Sequence, residues 1–220
     1  QITESTALIS LQHANSETGV LQNIKRASEI AQNKGILFHT DAVQSVAKIP
    51  FDLKNYPVDL LSISSHKFYG PKGVGALYVK KGTPALFSPL CGGNQEKKRR
   101  GGTENVAGIM GFGKACELAN ENISETSKLA DLRDYFQNRV CELIPRTELW
   151  GDKANRLPNT LNLGFDGVAG DTLLIALDME GVAVSTGSAC SSGTGLPSPV
   201  LRAMGIPNDK INSSIRFSLG

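Results

Sequence analysis

The sequence predicts an α/β fold in which helices flank a mostly parallel, mixed sheet, followed by a smaller α+β unit at the C-terminal side. The first observation is that strand-like apolar runs alternate with helical patterns along the first half of the chain. Strands that are apolar along their length are typical of a sheet buried between helices. The second observation is a change in the sequence pattern from Asn105 onward, where longer helical periodicities begin. We therefore predict two domains, residues 1–122 and 123–220.

The elements of the first domain are predicted from periodicity and from end signals. Residues 23–34 carry apolar side chains at helical spacing, and Gly35 suits the end of such a helix. A short helix is expected to begin at Ala42, directly after a strand that ends at Asp41. Strands are expected at 6–11, 36–40, 58–64 and 75–80.

The second domain is expected to mix longer helices with short strands. Ser124 is the predicted N-cap of a helix that ends before Pro145. The apolar face of that helix is predicted to hold Leu129, Leu132, Phe136, Val140 and Leu143. The remaining elements are a preceding helix at 106–119, strands at 160–163, 182–185 and 215–220, and helices at 171–180 and 199–204.

The composition is that of an ordinary globular protein. The chain has 220 residues, of which 40% are apolar and 20% charged, so disorder and repeat arrays are not expected. The net charge of +2 gives no indication of nucleic acid or acidic lipid as a partner. No secretory signal and no apolar run long enough for a membrane span is visible. The chain begins without Met and ends within a strand, so we expect it to be trimmed at both ends.

Four cysteines, without a CxxC pair among them, favour neither a zinc site nor a disulfide scaffold. We expect a reducing, cytoplasmic location. Cys116 and Cys141 lie on helical patterns among apolar neighbours, so both are predicted to be buried as small apolar side chains. Cys91 opens a glycine-rich loop, and its sequence context favours neither a structural nor a functional role. Cys190 lies among serines and glycines, which indicates a mobile, solvated loop in which a thiol could act as a nucleophile.

A group of polar residues at the ends of two successive strands points to a cofactor. Asp41 alone could be a helix N-cap, and Lys67 alone could be a surface lysine in a glycine turn. Together they supply what pyridoxal phosphate (PLP) requires, namely a lysine amine and an acid beside the pyridine nitrogen. Ser64 and His66 could donate to the phosphate, and Gln44, one helical turn after Asp41, could reach the phenolic oxygen.

The motifs resemble those of the cysteine desulfurases, which have the aspartate-aminotransferase-like PLP fold. The resemblance extends in register over nearly all 220 residues. It rests on five stretches: His39-Thr40-Asp41-Ala42-Val43-Gln44, Ser65 to Gly73, Arg100-Gly101-Gly102-Thr103-Glu104-Asn105, Ser185-Thr186-Gly187-Ser188-Ala189-Cys190, and Arg216. The resemblance implies that 1–122 is part of the PLP-binding large domain and that 123–220 is a small domain carrying the Cys190 loop.

The resemblance also implies a role for each site residue. Lys67 would bind PLP covalently, and Cys190 would take sulfur from L-cysteine as a persulfide, leaving L-alanine. Thr103 would reach the cofactor of the other subunit of a homodimer. Asn15 and Arg216 would bind the substrate carboxylate, for which a guanidinium is suited. The other cofactor ligands implied are Asp41, Gln44, Ser64 and His66.

The length of the loop after Cys190 resembles that of the subgroup associated with iron–sulfur cluster assembly and with sulfur delivery to thiolated cofactors. Transfer to a scaffold or sulfur-carrier protein is therefore expected. Arg99 and Arg100 are interpreted as part of a solvated basic loop or as a contact across the dimer near the neighbour's cofactor, and the two roles are compatible. The family's phosphate-binding turn and its ring-stacking histidine have no counterpart here, and Ser16 replaces a more usual asparagine. Activity of the 220 residues alone is for that reason not expected.

Two other functions remain open on the sequence. The first is another PLP enzyme of the same fold, either a selenocysteine lyase or an aminotransferase. Cys190 argues against it, because transamination requires no such thiol. The second is a non-catalytic relative that acts only as a binding partner, for which the lack of the family's earlier segment is the reason.

Overall fold

The computed structural model describes residues 1–88, 90–153, 155–187 and 197–220. These residues form two compact units. The first unit comprises Gln1–His13 and Asn23–Asn122, and the second comprises Ala14–Gln22 and Ile123–Gly220. The short segment Ala14–Gln22 therefore packs with the C-terminal half of the chain. The division into functional domains at residue 122 stays a prediction.

The first unit is built on a four-stranded mixed sheet in the order β1-β2-β3-β4. Its strands are β1 (Leu8–Gln12), β2 (Leu37–Asp41), β3 (Leu60–Ser64) and β4 (Gly75–Val79). The pairs β1–β2 and β2–β3 are parallel, whereas β3–β4 is antiparallel. The prediction of a mostly parallel, mixed sheet is thus confirmed.

Two helices, α1 (Ile24–Asn33) and α3 (Val106–Glu121), pack on this sheet through two apolar clusters. The short α2 (Gln95–Lys98) buries none of its residues. Helix α1 begins after Asn23, whose side chain accepts a hydrogen bond from Arg26 N. Its buried face meets Phe38 of β2, which is 0% exposed. Helix α3 buries Phe112 and Ala115 against Phe68, which follows β3.

The second unit contains a three-stranded antiparallel sheet in the order β5-β6-β7. Its core consists of Leu161, Leu163, Phe165 and Ile215, with Phe136 and Phe217 packed against it. The elements are α4 (Thr126–Leu143), β5 (Thr147–Leu149), β6 (Thr160–Phe165), α5 (Gly170–Met179), α6 (Pro199–Ala203), α7 (Asn208–Ile211) and β7 (Ser214–Ser218).

Three local predictions were wrong. No helix begins at Ala42; a series of turns follows, and Ala47 adopts a left-handed backbone with a φ of 66°. The predicted strand at 182–185 is reduced to one bridge between Ser185 and Arg216. Ser124 lies inside a 3-10 turn, and α4 begins after Glu125 without a side-chain cap.

The buried face of α4 is also more polar than predicted. Leu132 is 51% exposed, whereas Arg133 and Gln137 are buried. Arg133 Nη1 donates to the carbonyl of Leu157, and the Gln137 side chain accepts from Arg156 Nη2. Phe136 and Val140 pack against the apolar core as predicted. The buried polar contacts are additional, and apolar periodicity does not reveal them.

Cys116 and Cys141 are exposed, which contradicts their predicted burial. Cys116 is the residue after buried Ala115, and one step along a helix turns a side chain by about 100° away from the packed face. Cys141 lies near the end of α4, where the following Leu143 is itself 67% exposed. Cys116 and Cys141 are therefore exposed thiols with which the reactivity of Cys190 can be compared. Cys190 itself lies outside the described residues.

Among the described residues, none of the helices is both long enough and apolar enough to cross a lipid bilayer.

Gly70 and Gly113 provide a matched test of the packing around the turn Ser65–Phe68. A Cβ at Gly70 would lie 2.0 Å from Ser65 Oγ, whereas a Cβ at Gly113, on α3, would meet nothing within 4 Å. Gly70→Ala is expected to lower the free energy of unfolding by about 1–3 kcal/mol. Gly113→Ala is expected to raise it by up to about 1 kcal/mol through helix propensity. Urea denaturation of both variants measures this, and equal effects of the two would contradict the packing described.

His13 is expected to make stability depend on pH. Its ring is buried beside Phe51 and Tyr56, and burial lowers its pKa below the usual 6.5. Near that pH the unfolded chain binds a proton that the folded protein does not, so stability falls as the pH falls below 6.5.

His13→Asn should flatten this decline, because the amide does not titrate. Thermal unfolding of both proteins between about pH 7.5 and pH 5.5 measures it. The other two of the 3 histidines are present in both proteins. Parallel pH profiles would exclude His13 as the source.

Candidate functional site

The C-terminal ends of β2 and β3 lie side by side. The two strands are parallel, and Asp41, the last residue of β2, is in register with Ser62 of β3. Ser64 ends β3 two residues later. The carboxyl ends of neighbouring parallel strands are the usual ligand-binding edge of an open α/β sheet. The strand ends identified in the sequence therefore meet at one edge.

His39 connects three strands on one face of this sheet. Its Nδ1 is 2.8 Å from Ser10 Oγ of β1, and its Nε2 is 2.8 Å from Ser62 Oγ of β3. Because side chains alternate along a strand, Asp41 lies on the same face as His39. Sequence reasoning gave His39 no role. The pattern that could have identified it is a histidine on an interior strand, with serines on the same face of both neighbouring strands.

Asp41 has one carboxylate oxygen engaged and one available. Oδ1 accepts a hydrogen bond of 2.9 Å from Val43 N, which closes a turn. Oδ2 has no hydrogen-bond partner among the residues described, and the residue is exposed. Asp41 is therefore not a helix N-cap, since no helix follows it. Gln44, within the turns that follow, is half-buried and accepts from Lys48 Nζ at 3.2 Å.

Lys67 lies in the 3-10 turn Ser65–Phe68, which follows β3 without a break. Phe68 fixes this turn by packing on Phe112, with the ring centres 5.7 Å apart. Lys67 is half-buried, and within the described part of the chain its amine makes neither an ion pair nor a hydrogen bond. An unpaired amine held beside the carboxyl end of β3 is suited to bind a ligand.

Ser64 and His66 form a polar pair at the same end of β3. Ser64 Oγ and His66 Nδ1 are 2.9 Å apart, and the imidazole is exposed. The pair lies directly before Lys67 along the chain. Ser64 and His66 are thus brought to the edge at which Asp41 ends β2.

Asn15 and Arg216 belong to the second unit. Asn15 is buried, and its Oδ1 accepts hydrogen bonds from Glu17 N at 2.9 Å and from Thr18 N at 3.0 Å. This leaves the Nδ2 group as the donor without a partner among the described residues. The amide oxygen therefore shapes the loop, and the amide nitrogen is available to a ligand.

Arg216 projects from β7 with one side of its guanidinium engaged. Nη1 donates to the carbonyl of Ser16 at 3.1 Å, whereas Nε is buried without an acceptor. Burial lowers the pKa of Arg216, and the charge of Glu17 opposes that effect by raising it. The side chain thus carries a positive charge with unused donors, as a carboxylate site requires.

Other predicted residues lie in loops or outside the described residues. Thr103 and Arg99 are exposed, and both belong to the first unit. Arg100 donates to the carbonyls of Gly101 and Gly102, so it stabilises its own loop. Cys190 lies outside the described residues.

Comparison with known proteins places this geometry in a family. The aminotransferase class-V family model matches residues 1–220. A cysteine desulfurase IscS from Dictyoglomus turgidum is 53% identical over 218 residues, which are 99% of this chain and 55% of that protein. A cysteine desulfurase IscS from Clostridium botulinum is 48% identical over 222 residues, covering 100% of this chain and 56% of that protein.

Solved structures agree with the sequence relatives. The NifS-like protein from Rickettsia africae superposes with a TM-score of 0.89 at 34% identity, covering 100% of this chain and 58% of that one. SspA, solved in complex with cysteine, gives a TM-score of 0.79 at 32% identity, covering 99% of this chain and 60% of that one. These matches confirm the predicted fold class and the resemblance to cysteine desulfurases.

The chain spans a little over half the length of the relatives it matches, from 55% to 60% in the four above. Proteins of this kind depend on PLP, and the polar edge of the first unit lies where the motifs predicted a PLP site. The chain therefore belongs to the aminotransferase class-V family, and its relatives are cysteine desulfurases.

Proposed function

We propose that this chain forms part of a PLP-dependent cysteine desulfurase, which converts L-cysteine to L-alanine and holds the sulfur as a persulfide on Cys190. The observation that carries the proposal is the position of Lys67. Its amine is unpaired within the described residues and follows β3 directly, beside the strand that ends in Asp41. The identity of 53% to a cysteine desulfurase supports the choice of reaction within the family.

The residues at this edge fit PLP by their chemistry. The cofactor needs an amine for its aldehyde carbon, an acid for its ring nitrogen and donors for its phosphate. Lys67 supplies the amine, and Asp41 supplies a carboxylate oxygen, Oδ2, that is not used in the turn. Ser64 and His66 supply a hydroxyl and an imidazole that already share a hydrogen bond. Gln44 supplies an amide for the phenolic oxygen of the ring.

When bound, PLP supplies an electron sink that makes the proton on the substrate's Cα acidic. Lys67 Nζ would hold the cofactor and then carry that proton. The Asp41 carboxylate would keep a proton on the ring nitrogen, and His39 would hold the neighbouring strands in register around it. Each role requires a rigid β2–β3 edge. The hydrogen bonds of His39 to both neighbouring strands support such rigidity.

Arg216 and Asn15 are proposed to bind the carboxylate of L-cysteine. Arg216 offers the unengaged side of its guanidinium, and Asn15 offers its Nδ2 group. Cys190 would accept the substrate's sulfur as a thiolate nucleophile.

We also propose a homodimer in which Thr103 reaches the partner's cofactor, for which its exposure in a loop is suitable. The sulfur acceptor would be an iron–sulfur scaffold or a sulfur-carrier protein. A cytoplasmic location is proposed from Cys91, Cys116 and Cys141, which are exposed and free, because such thiols are typical of a reducing compartment.

Replacing Lys67 tests cofactor attachment. Lys67→Ala is expected to remove the visible absorption of bound PLP and to lower L-alanine formation about 10²–10⁴-fold, because the group that moves the proton is lost. Borohydride reduction of the wild-type protein followed by peptide mass mapping should find PLP on Lys67. The measurement is made on the full-length protein.

Lys72→Ala is the matched control for Lys67→Ala, since Lys72 is exposed and lies five residues further along the same loop. It should keep both the absorption and the activity. PLP trapped on a lysine other than Lys67 would refute the assignment.

Replacing Cys190 tests sulfur transfer. Cys190→Ala is expected to abolish the protein-bound persulfide after incubation with L-cysteine, while PLP absorption remains. Alkylation and peptide mapping measure the persulfide. Cys116→Ala removes an exposed thiol and should change nothing. Undiminished release of sulfur by Cys190→Ala would refute the role of Cys190 and would instead favour another PLP enzyme of the same fold, such as a selenocysteine lyase.

A further inference from the structure

Glu17 is a buried carboxylate in the second unit, and the proposed reaction assigns it no role. It is 2% exposed. Its Oε2 accepts a hydrogen bond of 2.5 Å from Ser198 Oγ. Its main chain is fixed as well, because Glu17 N donates to Asn15 and the carbonyl accepts from Asn162 Nδ2 at 3.2 Å. The carboxylate is therefore held in one place within the unit.

A charge in such a position must be compensated, since burying an unpaired carboxylate is costly. A cation lies beside it, because Arg216 Nη1 donates at 3.1 Å to the carbonyl of Ser16, the residue before Glu17. The charge of Glu17 also raises the pKa of Arg216 against the effect of burial. The two side chains nevertheless form no direct ion pair. Arg216 donates instead to the carbonyl of Ser16 and keeps Nε without an acceptor. Arg216 is thus held beside the segment that carries Glu17 and keeps donors unused.

Ser198 anchors one oxygen of the Glu17 carboxylate. Its hydroxyl oxygen accepts from Leu201 N at 3.1 Å, which caps α6, so the hydroxyl proton is directed to Glu17. A serine hydroxyl has one proton to donate. Ser198 therefore holds Oε2 at the beginning of α6.

We infer that Glu17 is a positioning residue that sets how tightly Arg216 holds the carboxylate of substrate and product, and that Ser198 keeps Glu17 in the place where it does so. The inference rests on the proposed function, in which Arg216 binds that carboxylate. The negative charge of Glu17 compensates Arg216 and opposes the arrival of a second carboxylate. The affinity is thereby limited, and L-alanine can leave.

The signs of the two expected effects are opposite. Removing the charge in Glu17→Gln keeps an oxygen for Ser198 but ends the repulsion of the ligand, so the carboxylate should bind more tightly. Removing the hydroxyl in Ser198→Ala frees Glu17 to pair with Arg216, so the ligand must compete and should bind more weakly. Simple damage to the fold would weaken binding in both variants.

The test compares two competitive inhibitors of the PLP-loaded, full-length enzyme, L-alanine and ethylamine. They share an amine, and only L-alanine has a carboxylate. Glu17→Gln should lower the inhibition constant of L-alanine about threefold or more, and Ser198→Ala should raise it by a similar factor. The constant of ethylamine should stay the same in both. Ser213→Ala is the matched control, since it removes an equally buried hydroxyl, 6% exposed against 7% for Ser198, from the same unit.

Three outcomes would overturn the inference. The first is an unchanged L-alanine constant in Glu17→Gln, and the second is parallel weakening of both inhibitors in both variants. If Glu17→Gln does not fold, as judged by thermal unfolding, Ser198→Ala alone decides through the L-alanine constant. The third is wild-type enzyme that holds L-alanine no better than ethylamine, which would also refute the role of Arg216 in the proposed function. The first two leave that role intact.

Discussion

The parallel pairing of β2 with β3 is the constraint on which the candidate site depends. Asp41 and Lys67 lie far apart in sequence, because the crossover connection and β3 itself lie between them. Only the pairing of β2 with β3 brings the ends of these strands to the same edge. Parallel strands run in the same direction, so their carboxyl ends lie at the same edge of the sheet. The polar residues that follow each strand are therefore found together at that edge. Antiparallel β4 returns the chain, and its first residue, Gly75, is paired with Ser64.

Two devices make that edge rigid enough to position a cofactor. One is His39, whose two ring nitrogens contact β1 and β3 and so hold three strands together on the polar face. The other is the packing of Phe68 under α3, together with the absence of a side chain at Gly70, where a Cβ would collide with Ser65. Neither the His39 hydrogen bonds nor the packing of Phe68 takes part directly in the proposed reaction. Both fix the backbone from which Lys67 projects.

The sequence predicted the strands and α1 well because their patterns are local. The strand at Leu37–Asp41 and the helix at Ile24–Asn33 differ from their predicted bounds by only a residue at each end. It failed where distant contacts decide. Val182 to Ser185 has the composition of a strand, but only Ser185 finds a partner, Arg216. Turns follow Ala42 instead of a helix, and Ala47 among them adopts a left-handed backbone that an alanine in the sequence does not indicate.

The candidate site shows the same division between local and distant information. The motifs identified Asp41, Ser64 and Lys67 because each stands at the end of a recognisable strand. They could not indicate that Asn15 packs with the C-terminal half, because that depends on Asn162, far along the chain, donating to the carbonyl of Glu17. The balance of charge around Arg216 has the same origin: Glu17, Ser198 and Arg216 come from three separate parts of the sequence. In the proposed function a cation, Arg216, defines the carboxylate site, and the affinity of that site depends on a second charge that only the folded unit brings to the same region.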